Sequence, residues 1–169
     1  VNGSLKKGIQ YARMGGWEDS LTYMIREINI SDAEAIQKIC KTALGYDVDI
    51  STVSNQIKKL SCDNKNHILA VYEDENTKKV IGFVHAQVYE SVYSDTGLNI
   101  LGLAVDPDFH GNGVGKKLMR YIEKYALDNG ISFIRLNSAN HRVESHKFYE
   151  NIGYKCDKLQ KRFIKYFNI

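Results

Sequence analysis

Between Val105 and Leu118 the chain reads VDPDFHGNGVGKKL. Gly111, Gly113 and Gly115 alternate just ahead of a helix-like apolar pattern, and Lys116 and Lys117 stand in what would be its first turn. An apolar strand that passes through bare backbone into a helix start is a place to hold an anion. Glycines let N–H groups approach the ligand, and the helix dipole favours negative charge there. Lysines in a first turn are mildly unfavourable unless such a charge offsets them. A solvated tight turn with two exposed lysines is the plain alternative. Two nucleotide loops fail on residues their chemistry needs. GxxxxGK[ST] meets His110 at its first glycine and Lys117 in place of the magnesium-binding hydroxyl, and GxGxxG meets Lys116 at its last glycine.

The elements that must hold this loop follow from periodicity. MIREINI, from Met24, alternates as a first strand, and Ser31 with Glu34 forms a capping box ahead of a helix with Ile36, Ile39, Cys40, Ala43 and Leu44 on one face, closed by Gly45. A shorter helix over Ser51–Leu60 turns Val53, Ile57 and Leu60 inwards. HILAVYE and VIGFVHAQVY flank the turn DENTKK as a hairpin, and LNILGLAV is a strand that exits at Asp106–Pro107. Val114–Asn129 is a helix with Leu118, Met119, Ile122, Tyr125 and Ala126 on its apolar face, stopped by Gly130. Ser132–Asn137 reads as a strand, Val143–Ile152 as a helix closed by Gly153, and one or two strands are expected from Tyr154 onwards. The order implies an α/β domain over residues 24–169 with a mostly antiparallel front half.

Residues 1–23 lack that periodicity. They are a native arm or an expression remnant, and Trp17, Tyr11 and Ile9 favour the arm, whose expected use is to support a homodimer or cover a cleft. The 169 residues suffice for one domain with a full core. Hydrophobic residues at 43% and charged residues at 25% are ordinary for a globular protein, and a net charge of +3 is too mild to argue for nucleic acid. No apolar run reaches the roughly 18 residues of a membrane span, and no signal-peptide pattern is present. Cys40, Cys62 and Cys156 cannot all pair and none lies in a CxxC spacing, so reduced thiols and a cytoplasmic location are expected, with no metal site.

LAVDPDFHGNGVGKKLM resembles the acetyl-CoA signature Arg/Gln-x-x-Gly-x-Gly/Ala of the GCN5-related N-acetyltransferases, here His110 to Gly115 with His110 replacing Arg or Gln. RVESHKFYENIGY, Arg142–Tyr154, is similar to the same family's RxxAHxFYxxxGF, with Ser145 for alanine. The resemblance implies a GNAT-like mixed, mostly antiparallel central sheet flanked by helices and splayed between its fourth and fifth strands. It implies an N-acetyltransferase that moves an acetyl group from acetyl-CoA to a primary amine, on a small molecule or a peptide, by direct attack. Leu101–Val105 would then offer backbone groups to the pantetheine, Leu103, Ala104 and Val105 as cofactor-binding residues among them, and an N–H near Val105 would polarise the acetyl carbonyl. His110, Gly111, Asn112, Gly113, Val114, Gly115 and Lys116 would wrap the pyrophosphate, and Asn137 and Asn140 would bond the pantetheine amides. Tyr149 would protonate the departing thiolate. The general base stays open. Asn99 stands where some relatives have glutamate, and His85, Tyr89, Glu90, Asp95 or a water relay are the substitutes. A non-catalytic acyl-CoA-binding sensor is the alternative function.

Overall fold

The computed structural model describes residues 24–167; the 1–23 arm lies outside them. The chain divides into two compact units, with the boundary along the sequence between Arg135 and Leu136. In the first, β1 (Ile25–Glu27) is followed by a 3-10 turn at Ile30–Asp32, α1 (Ala33–Ile39) and a π-helical turn at Cys40–Leu44. Then come α2 (Ile50–Ser61), β2 (His67–Glu73), β3 (Val80–Ser91), β4 (Ser94–Val105), a 3-10 turn at Pro107–Phe109, α3 (Val114–Asp128) and β5 (Phe133–Leu136). The sheet order is β1-β2-β3-β4-β5. The first four strands are antiparallel neighbours, and β5 runs parallel to β4 in the mostly antiparallel sheet expected.

One sheet face is apolar along its length, with Ala70, Val84, Ala86, Leu98 and Ile100 buried beneath the Leu118, Met119 and Ile122 stripe of α3. The other face is covered by α1 and α2, whose Ile36, Ile39, Val53 and Ile57 close on Val71, Phe83 and Ala104. Gly82 lets α3 sit down on the sheet. A Cβ there would come within 3.1 Å of the Ala104 carbonyl and of Val114 Cγ1.

The capping box lies two residues earlier than the sequence suggests. Asn29 Oδ1 accepts from the Ser31 N–H at 3.1 Å, and Asp32 Oδ2 accepts from the Asn29 N–H at 2.7 Å, so Asn29 and Asp32, rather than Ser31 and Glu34, open the helical run. Asp32 is held there by both arms of the Arg26 guanidinium, each at 2.8 Å, and Arg26 reaches Glu73 at 2.9 Å. Burial pushes the Asp32 carboxyl up, but the Arg26 hydrogen bond and the Asn29 N–H more than reverse this and hold it below the usual range.

The second unit contains α4 (Val143–Asn151). The strands expected after Tyr154 are absent among the described residues, which hold no strand past Asn151. Alternate apolar side chains make a strand only where one face is buried, and Leu159, Phe163 and Tyr166 are instead exposed.

Candidate functional site

Val105 ends β4, and Asp106 turns the chain. Its backbone N–H donates to Ile81 O at 2.8 Å, its side chain accepts from the Asp108 N–H at 3.2 Å, and Lys38 of α1 reaches it at 3.3 Å. Proline at the first position of the 3-10 turn then costs no hydrogen bond. His110 turns its imidazole back, so that Nε2 lies 2.9 Å from the Val105 carbonyl and staples the two ends of the turn together. Gly111 and Gly113 follow with φ of +81° and +74°, and Gly113 caps α3. A side chain at either would meet nothing within 4 Å, so glycine is needed for backbone conformation, not for room.

The remaining loop residues divide by exposure. Asn112 and Lys116 are exposed, Gly115 is half-buried, and the Val114 side chain is buried under the sheet, which leaves only its backbone to a ligand. The two lysines separate: Lys117 donates to the Tyr72 hydroxyl at 2.9 Å and sits 5.3 Å from its ring centre, while Lys116 points to solvent. Ala104 is buried in the α1–α2 core, with Leu103 and Val105 half-buried beside it. Leu103–Val105 and His110–Lys116 thus form one strand–turn–helix. Bare N–H groups, a helix N-terminus and one exposed cation suit a pyrophosphate.

Asn137, Asn140 and Tyr149 belong to the second unit. Both asparagines are exposed. Tyr149 is half-buried on α4, packed edge-to-face against Phe148 and Tyr154 at 5.1 and 6.1 Å between ring centres. Burial raises its phenol pKa above the ordinary 10, against an opposing pull from Arg142, so it keeps its proton at neutral pH.

Of the residues considered as base, Glu90 and Asp95 are exposed. His85 is half-buried with Nε2 2.9 Å from Nδ1 of His67, a residue that sequence reasoning passed over. Burial and the neighbouring His67 push the His85 pKa down to about 4. Because the unfolded imidazole takes its proton near 6.5 and the folded one only near 4, the folded state should lose stability as pH falls across that interval. For a half-buried ring the loss is about 2 kcal/mol after allowing for solvent screening. Urea unfolding at pH 7 and pH 4.5 checks it: His85→Gln, which cannot take up the proton, should fall less than the parent.

The sequence matches the acetyltransferase (GNAT) family over residues 33–154. The chain belongs to that family. Human N-acetylaspartate synthetase is 32% identical over 76 residues, 45% of this chain and 24% of that protein. The uncharacterized N-acetyltransferase ycf52 of Gracilaria tenuistipitata var. liui is 30% identical over 135 residues, 77% of this chain and 64% of the relative. The chain thus spans about a quarter of the first protein's length and under two thirds of the second's. Among solved structures, AAC(6')-Iy in complex with the bisubstrate analogue CoA-S-monomethyl-acetylneamine superposes with a TM-score of 0.71 at 17% identity, covering 84% of this chain and 97% of that one. The solved structure shares the fold of this chain, and the two curated relatives are named as an N-acetylaspartate synthetase and an N-acetyltransferase. Among the described residues no helix is long and apolar enough to cross a membrane, and no group of three or more His, Cys, Asp or Glu is placed to hold a metal ion.

Proposed function

We propose that the domain transfers an acetyl group from acetyl-CoA to a primary amine by direct attack in a ternary complex. The observation that carries this reading is the Gly111–Gly113 loop, left-handed at both glycines and open where side chains would stand, at the head of a fifteen-residue helix. His110 to Lys116 hold the pyrophosphate, chiefly through backbone N–H groups. Leu103–Val105 line the pantetheine with their backbone, and Asn137 and Asn140 bond its amides. Acetyl-CoA supplies an acyl group activated as a thioester. Tyr149 gives its proton to the sulfur as the C–S bond breaks, and the amine gives up a proton to the protein or to water.

Thiol release with acetyl-CoA and a panel of amines, including amino acids, aminoglycosides, polyamines and peptides, tests the reading. Release that depends on both partners is expected. Tight CoA binding with no release across the panel would instead favour the acyl-CoA sensor.

We place the domain boundary at Met24. Its carbonyl accepts from the Glu73 N–H at 2.7 Å and its sulfur lies 2.9 Å from the Tyr72 hydroxyl, which ties the start of β1 to β2. A chain beginning at Met24 should bind CoA as the full chain does, by calorimetric titration. A folded product without CoA affinity would move the boundary.

A further inference from the structure

The sheet face that α1 and α2 cover at Val71, Phe83 and Ala104 changes character farther along the same strands. Leu69 opposes His85, His67 opposes Gln87, Gln87 opposes Asn99, and Tyr89 opposes Gly97, so these residues share that face. β5 adds a fourth column. Ser132 N–H donates to Thr96 O at 3.2 Å, and the Phe133 ring lies over Gly97, where a Cβ would overlap it. Arg135, two residues beyond Phe133, lies on the same face of β5, and its guanidinium stands 4.8 Å from the centre of the Tyr89 ring on this face. His67, Gln87 and Asn99 make a polar row across three strands, with His85, Tyr89 and Arg135 on the same face beside it.

Four observations point to a ligand at this row. The buried Oδ1 of Asn99 lacks a hydrogen-bond partner among the described residues, a desolvation cost that a bound N–H removes. Arg135 stands 4.8 Å over the Tyr89 ring and is paired with no carboxylate among the described residues. The His67–His85 hydrogen bond links a half-buried ring to the first residue of β2, beside exposed Asn66. Next to Asn99, the β3–β4 register shifts and Leu101 bulges out between Ile100 and Gly102, the kind of break that re-aims groups at a site.

We infer that this row receives the acceptor, and that the acceptor is a primary amine carrying a carboxylate. The inference rests on the transferase reading above. The carboxylate pairs with Arg135, whose planar fork suits it. Asn99 Oδ1 accepts one amine N–H and so aims the nitrogen lone pair. The nitrogen bonds the acetyl carbon, the C–S bond breaks with its electron pair on sulfur, and sulfur takes the Tyr149 proton. The amine proton passes to His85 Nδ1 while His85 Nε2–H passes to His67 Nδ1 and His67 Nε2–H goes to water. Such a relay moves one proton out without a standing imidazolium in a site that disfavours one.

The test separates this site from the reaction. With CoA saturating, glycine, β-alanine and 4-aminobutanoate are each titrated against methylamine, ethylamine and propylamine, which lack only the carboxylate. The ring nitrogens of His67 and His85 and the Asn99 side-chain amide are followed by NMR. At least one amino acid should move all three signals at a tenfold lower concentration than its plain amine, and R135Q should erase the difference. No such preference in the parent protein overturns the acceptor class. With any amine that is turned over, H85N should lower kcat at least tenfold with little change in KM for acetyl-CoA, and it should flatten the pH profile. Unchanged kcat overturns the relay. Amino-acid binding at the row without any thiol release keeps the site and removes the transferase reading.

Discussion

Tyr149→Phe is expected to lower the rate constant for acetyl transfer on the order of 10²-fold and to leave acetyl-CoA affinity nearly intact. Only one oxygen is lost. The ring keeps its edge-to-face contacts with Phe148 and Tyr154, so the packing within α4 and its exit turn survives. The phenol's raised pKa keeps its proton in place throughout the neutral range, which is what a donor to a departing thiolate requires. The loss should therefore appear in kcat and not in KM for acetyl-CoA. Single-turnover rates with an accepted amine, alongside calorimetric titration of acetyl-CoA, check both halves. A normal rate demotes Tyr149 to a packing residue and passes the donor role to water.

The elements that frame the loop were legible because each carries its own punctuation. Gly45 ends the first helical run at φ +76°, β2 occupies the seven residues its alternation marks, and Gly113, Gly130 and Gly153 take the left-handed backbone at helix ends. The row on the sheet was not legible, for a reason of register. A slip of one residue exchanges the two faces of a strand. Glu73 opposes Val80 next to the β2–β3 turn, and that pairing alone would set His67 against Ala86. An irregularity between Tyr72 and Glu73 shifts the rest, so that His67 meets Gln87 and Leu69 meets His85. No residue type near Tyr72 announces that shift. Arg135 and Phe133 were hidden in the same way, since their place beside Tyr89 and Gly97 depends on where β5 joins β4. His85 and Asn99 were visible as residue types; His67 became relevant only once a ring 18 positions away lay within hydrogen-bond distance.

Gly113→Val should weaken acetyl-CoA binding at least tenfold, about 1.4 kcal/mol, in a domain that stays folded. The argument is conformational. Nothing lies within 4 Å of a Cβ at Gly113, so valine meets no obstacle, but its φ of +74° is one that a β-branched residue does not adopt without strain. The left-handed conformation costs an L-residue roughly 1–2 kcal/mol, and the exposed loop relieves it by turning the local peptide planes. Those planes carry the N–H groups at the head of α3, so relief of strain and loss of anion contacts are the same event. Asparagine tolerates the left-handed region, and Gly113→Asn should keep affinity much closer to the parent despite its larger side chain. Calorimetric titration of the two variants with acetyl-CoA tells conformation from bulk. Equal loss in both means the ligand needs the space, and unchanged affinity in the valine variant means this loop does not hold the pyrophosphate.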